Sequence, residues 1–285
     1  MKMISADFHV HHDYSRDAEG DIGAYCDRAV LIGLDSICFT THYDVNPRRT
    51  ERDGSWKRTG KRERISDFLV NEYIREAFAA RKKYRDRGLS VHCGLEIDYF
   101  PGVEKEAERL KAGFPFDFII GSVHCLTDIA ISDPEEAVRY FHNISVGRLA
   151  DDYFALLLAA ASCPAFDCLG HLDYYVRYCR KYFGDDMNNI EIERFDPVFD
   201  RLKSTGVGIE INTSPFKKGE NGFHPARGII DRAVLAGVTI SSIGSDSHRP
   251  EDLGKGIAEA GAYLRQRGVI PESAKIYEKT SQKIL

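Results

Sequence analysis

Six of the ten histidines stand just after short apolar runs, and they are spread from one end of the chain to the other. The runs end in Asp7-Phe8-His9-Val10-His11, Thr40-Thr41-His42, Gly94-Leu95-Glu96, Gly121-Ser122-Val123-His124, Gly170-His171-Leu172-Asp173 and Gly244-Ser245-Asp246-Ser247-His248. Neutral imidazole and carboxylate together are the donor set of Zn, Mn and Fe sites. Alternate residues of a strand share a face, so His9 and His11 point the same way, and Asp246 and His248 repeat the device. Glu96 is flanked by apolar Leu95 and Ile97. A carboxylate there is costly unless it is ion-paired or metal-bound, and its two oxygens can bridge two cations. One His-x-His carries little weight, whereas six histidines at strand ends predict a polynuclear metal site and hydrolytic chemistry. Asp17, in Arg16-Asp17-Ala18-Glu19-Gly20, reads either as a further ligand or as part of a plain polar turn.

The remaining histidines have ordinary readings. His12 points away from His11, His92 sits inside a strand, and His142 falls between two helical segments. His224, in Gly222-Phe223-His224-Pro225, is the exception expected near the site.

The elements that must position these groups alternate regularly. Strands are expected over 4–10, 35–40, 90–96, 116–122, 166–170, 207–212 and 238–244, each mostly apolar. Gly33, Gly88, Gly206 and Gly237 stand just before four of them, where glycine closes a preceding helix. Helical spacing runs through Ile22, Cys26, Ala29 and Val30, and a long helix over 65–87 carries the stripe Phe68, Leu69, Tyr73, Ala77, Ala80 and Tyr84. Asp133-Pro134-Glu135-Glu136 offers an N-cap, a first-turn proline and a capping-box glutamate, and Pro225 and Pro250 are placed to open two more helices. Seven βα units with apolar strands imply an α/β fold with a parallel sheet covered by helices, closed or nearly closed into a barrel. Chemistry in such barrels sits at the carboxyl ends of the strands, where every candidate except Asp17 lies.

Composition narrows the class. The chain has 285 residues, 43% hydrophobic and 29% charged, as expected for one large domain over 1–285. No apolar run is long enough for a membrane span or a signal peptide. Seven cysteines without a Cys-x-x-Cys pair predict buried, reduced thiols and a cytoplasmic protein. A net charge of -5 argues against a dedicated nucleic-acid binder. One stretch, 44–66, interrupts the alternation with Arg48, Arg49, Arg52, Lys57, Arg58, Lys61, Arg62 and Arg64, and holds Trp56, the single tryptophan. It reads as a solvated surface loop or as a lid that draws in an anionic substrate.

The quoted motifs, with Phe118-Ile119-Ile120-Gly121-Ser122-Val123-His124 and Asn212-Thr213, resemble in order those of the PHP (polymerase and histidinol phosphatase) family, and most of all its stand-alone histidinol-phosphatase branch. The resemblance spans residues 7 to about 250 and implies a distorted seven-stranded (β/α) barrel with an outer layer of helices and three divalent ions, Zn, Fe or Mn. Carried over by position, it implies His9, His11, Glu96 and Asp246 on the first ion. Glu96, His124 and His171 would hold the second, and Asp17, His42 and His248 the third. Some family members have histidine where this chain has Asp17.

The activity so implied is hydrolysis of a phosphomonoester, L-histidinol phosphate, by hydroxide shared between two metals bridged by Glu96, with Asp246 and His248 completing the catalytic set. No serine or cysteine with a neighbouring base suggests a covalent route. For phosphate itself Arg177 is the leading candidate, since guanidinium binds phosphate through two bonds, followed by Lys217; Asn212 and His224 are candidates to orient water or substrate. The competing readings are a PHP phosphoesterase acting on nucleotides or nucleic-acid ends, an amidohydrolase, which also begins on His-x-His, and a metal-binding regulator without turnover.

Overall fold

Seven strands form one parallel sheet: β1 (Ala6–Val10), β2 (Ser36–Tyr43), β3 (Ser90–Asp98), β4 (Phe118–Ser122), β5 (Cys168–Leu169), β6 (Gly208–Asn212) and β7 (Ile240–Gly244). This is the arrangement in a computed structural model that describes residues 5–273 apart from Thr59. Each strand pairs in parallel with its successor in the chain. The two edges meet where Val10 bridges Ser247 and the His11 amide donates to the Ser247 carbonyl at 2.9 Å, so the sheet curls into a nearly closed barrel. The seven expected strands are therefore all present. β5 is shorter than the expected 166–170, though the Asp167 and Gly170 amides on either side of it donate to the Ile119 and Gly121 carbonyls at 2.8 and 3.0 Å, and the Asp167 carboxylate takes the Ile119 amide at 2.7 Å.

Helices close where the sequence places their stops. The helix Ile22–Ile32 begins on the Asp21 side chain and ends on Gly33 at φ 74°, a left-handed conformation glycine adopts without strain. The helix Asp67–Tyr84 buries Leu69, Tyr73, Ala77, Ala80 and Tyr84 against the sheet. Phe68 departs from the expected stripe: it lies in the first turn and is 60% exposed, so the buried face begins one residue later. Asp133 caps Pro134–Phe141 through the Glu135 and Glu136 amides. A smaller cluster of Ala6, Phe8, Cys38, Phe118, Ile120 and Cys168 stands apart from the main core and fills the barrel interior.

A register shift between Asp7 and Val10 gives β1 one residue more than β2 over the same span. Simple alternation from Ala6 and Phe8 would send His9 outward. The bulge changes the phase, so that Phe8 fills the barrel while His9 and His11 face its mouth.

Residues 44–66 are not an open loop. They form a four-residue helix, Thr50–Asp53, and a hairpin of Ser55–Arg58 with Lys61–Arg64. Trp56 anchors the hairpin: it is 1% exposed, meets Tyr14, Tyr43 and Tyr73 edge-on, and donates its indole N–H to the His42 carbonyl at 2.5 Å. Arg49 grips Glu136 with two bonds of 2.7 and 3.0 Å and Asp53 at 2.6 Å. Arg48 pairs with Asp128 and Arg52 with Glu136, each at 2.8 Å. These three arginines hold the insertion to the barrel, which leaves less of its charge to attract a substrate than its composition suggests.

All seven cysteines are buried and unpaired. No helix among the described residues is long and apolar enough to cross a membrane.

Candidate metal centre

At the carboxyl end of the barrel the six histidines gather, five of them around one buried carboxylate. Glu96 stands in the inward row of β3, one step before Asp98 at its end. Its Oε2 lies 3.3 Å from His9 Nε2, 3.4 Å from His11 Nε2 and 2.9 Å from His42 Nδ1. Its Oε1 lies 2.9 Å from His171 Nε2 and 3.3 Å from His124 Nε2, and accepts the Ser122 hydroxyl at 2.6 Å. Burial alone would raise the Glu96 carboxyl, yet His9, His124 and His42 hold it well below the usual carboxylate range. Burial together with His42 and His248 pushes the His11 imidazole well down, leaving it a lone-pair donor.

Asp246 and His248 complete the ring from β7. Asp246 Oδ1 is 3.6 Å from His11 Nε2 and 4.0 Å from His9 Nε2. Asp17 Oδ2 lies 3.8 Å from His42 and 3.4 Å from His248, so the loop after β1 reaches the same place. Two residues here have left-handed backbones unusual outside glycine, His171 at φ 24° and Asp246 at φ 54°. Such strain persists only where surrounding contacts impose it. The His171 amide is held by Glu210 Oε2 at 3.1 Å, and Lys217 donates its ammonium to the Asp246 carbonyl.

The donor set fits divalent cations. His9 Nε2 and His11 Nε2 face each other at 3.0 Å with Glu96 Oε2 beside both, so three lone-pair atoms converge where a single proton could serve only two. His124 Nε2 and His171 Nε2 repeat this at 3.3 Å beside Glu96 Oε1. Within each of the groups His9, His11 and Glu96; Glu96, His124 and His171; and His11, His42 and His248, the donor atoms lie within 4.8 Å of one another.

Several supporting carboxylates escape a reading by strand ends. Glu210, wholly buried on β6, accepts from His9 Nδ1 at 2.6 Å and from Asn212 Nδ2 at 3.3 Å, besides the His171 amide. Its flanks, Ile209 and Ile211, are the same signal that marks Glu96. Asp98 accepts the His124 amide at 2.8 Å, and Asp173 binds His224 Nδ1 at 2.7 Å and the Ala226 amide at 2.8 Å. Asp44 lies within ligand reach of His42 and His124.

The centre opens into a cavity of about 410 Å³ whose walls include Arg177, Lys217, Asp44 and Trp56. Arg177 lies 5.2 Å over the Tyr174 ring and donates to its hydroxyl, and that ring in turn lies 4.4 Å from the ring of His171. Asn212 lies beneath, fully buried, holding the Glu210 and Asp246 carboxylates, and neither it nor His224 is part of the wall. His12 turns away as expected, onto Thr41 and Tyr73.

The close fit around Glu210 can be tested at Gly244. A Cβ there would meet His9 Cβ at 2.2 Å and Glu210 Oε1 at 2.5 Å. Gly244→Ala is expected to cost about 2 kcal/mol in urea unfolding, because nothing so enclosed can move aside freely. Unchanged stability would show the packing to be looser than these distances.

The sequence pattern of the PHP domain family matches residues 7–214. The "Probable histidinol-phosphatase" of Deinococcus radiodurans is 32% identical over 267 residues, covering 92% of this chain and 93% of that protein. The "Histidinol-phosphatase" of Lactococcus lactis subsp. lactis is 27% identical, covering 86% and 85%. Among solved structures, the Lactococcus lactis histidinol phosphate phosphatase complexed with zinc, L-histidinol and phosphate has the same fold, with a TM-score of 0.75, 22% identity and coverage of 95% of this chain and 96% of that one. With the family pattern over most of its length, and a relative 32% identical across nine-tenths of it, the chain belongs to the PHP domain family.

Proposed function

We infer that this protein is a metal-dependent phosphomonoesterase that hydrolyses L-histidinol phosphate to L-histidinol and phosphate. The observation that carries the reading is Glu96, a single buried carboxylate shared between two converging imidazole sets at the floor of a cavity. The choice of substrate rests on the relatives' names and on the zinc, L-histidinol and phosphate held by the Lactococcus lactis structure.

In this reading His9, His11, Glu96 and Asp246 would hold one ion, Glu96, His124 and His171 a second, and Asp17, His42 and His248 a third, all of types suited to Zn, Fe or Mn. Ions held there activate water at neutral pH and neutralise charge on the phosphoryl oxygens. The protein's own groups do the rest. Glu96 spans the centre, Asp246 and His248 close it, and Ser122 and Glu210 fix the orientation of their partners. Arg177 and Lys217 stand in the cavity wall as the cations for phosphate. Cys125, the one thiol in that wall among the described residues, is buried and its thiol is pushed up, which favours direct attack by water over a covalent phospho-enzyme. Seven unpaired thiols suit a reducing cytoplasm.

Metal analysis of the purified protein together with a phosphomonoester screen tests the proposal. Firmly held transition metal and turnover of L-histidinol phosphate above nucleotides are expected; no phosphate release from any phosphomonoester by metal-loaded protein would overturn it. Arg177→Ala is expected to raise KM roughly tenfold, the loss of one charge-assisted contact. An unchanged KM would return Arg177 to a role in packing against Tyr174.

A further inference from the structure

The cavity wall carries charged groups of both signs. Arg177 and Lys217 follow β5 and β6, Asp44 and Asp133 follow β2 and β4, Asp98 is the last residue of β3, and Arg16 and Arg49, both paired with Asp53, line the same wall. A purely anionic substrate has no use for Asp44, Asp98 and Asp133. Two of these carboxylates are committed to the protein: Asp98 to the His124 amide, and Asp133 to the first turn of Pro134–Phe141. Asp44 has no such commitment. Its Oδ1 is enclosed and no donor among the described residues reaches it. An enclosed carboxyl oxygen without a donor is costly, and a cationic donor arriving with the ligand removes that cost.

We propose that Asp44 receives the ammonium group of the substrate, so that the site selects phosphate esters of amino alcohols over phosphate esters without an amine. This rests on the phosphatase reading above and adds a specificity determinant to it. Histidinol phosphate has the required form, with a phosphate at one end of a short chain and a primary ammonium beside it. A site built around a hydrogen bond to one substrate group rejects the analogue lacking it strongly, because the protein partner is then left unpaired.

The test is calorimetric titration of the metal-loaded protein with L-histidinol and N-acetyl-L-histidinol, with metal content measured for every variant. The wild type is expected to bind the free amine about 30-fold more tightly than the acetylated form. Asp44→Asn is expected to reduce that preference to less than about threefold while keeping the wild-type metal content, and Asp44→Glu, which retains the charge, to preserve most of it. Three results would overturn the proposal: no amine preference in the wild type, a full preference in Asp44→Asn, or loss of a metal ion from Asp44→Asn, which would make Asp44 a ligand of the cation beside His42 and His124. An amine preference that depends on Asp44, in a protein releasing phosphate from no phosphomonoester, would support the subsite and overturn the phosphatase reading instead.

Discussion

Glu96→Gln is expected to lower phosphomonoester turnover by on the order of 1000-fold while the protein keeps its far-UV circular dichroism. The substitution preserves shape and removes what the centre uses. Glu96 presents one oxygen to His9, His11 and His42 and the other to His124 and His171, so each oxygen faces only nitrogen donors of lone pairs and the Ser122 hydroxyl. Glutamine converts one oxygen into an NH2 that points hydrogens at those lone pairs. It also removes the single negative charge shared by both groups, so neither cation would retain its full coordination. A thousandfold change corresponds to about 4 kcal/mol, within reach of losing one charged ligand from two ions. The accompanying metal measurement is expected to show less than the wild-type content. Near-normal turnover with full metal content would remove Glu96 from the centre of the mechanism.

The same residue shows why so much of this site is legible in the chain. A carboxylate between Leu95 and Ile97 is conspicuous because an apolar strand has no other reason to tolerate it. The six histidines stand out because each follows a strand, and parallel strands bring their carboxyl ends to one rim whatever their separation in sequence. The barrel is legible for the same reason, through glycines that close helices and apolar runs that follow. What stays hidden depends on contacts between distant segments. The bulge in β1, which re-aims His9 and His11, arises from pairing with β2 and has no local mark. The hairpin over Ser55–Arg64 exists because Trp56 finds three tyrosines and the His42 carbonyl, none of which its own basic sequence announces. Arg49 resembles any surface arginine until Glu136, far along the chain, is placed against it. Asp44 stands between Tyr43 and Val45 just past β2, and Asp98 follows Ile97 at the last position of β3, so each reads as the ordinary polar close of a strand.

Glu210→Gln carries the second large expected effect, a loss of about 100-fold in metal affinity, from a residue that lies behind the proposed ligands' own row and touches no substrate. Three donors converge on its two oxygens: His9 Nδ1 on Oε1, and the His171 amide and Asn212 Nδ2 on Oε2. Accepting the proton on His9 Nδ1 leaves the lone pair on Nε2, the atom that faces His11 and Glu96. Glutamine has one acceptor oxygen for these three donors. If that oxygen serves His9, its NH2 opposes the His171 amide; if it serves His171, a donor opposes His9 and favours the wrong tautomer. Either arrangement leaves a buried polar group unpaired, worth about 1–3 kcal/mol, and disturbs two proposed ligands at once. Competition with a chelator measures the affinity directly. Activity recovered by excess metal would mean that Glu210 acts through holding the ion, and a kcat still depressed at saturation would mean that the orientation of His9 also serves the reacting geometry. Wild-type affinity and wild-type kcat together would show that the carboxylate's three contacts contribute nothing beyond the fold.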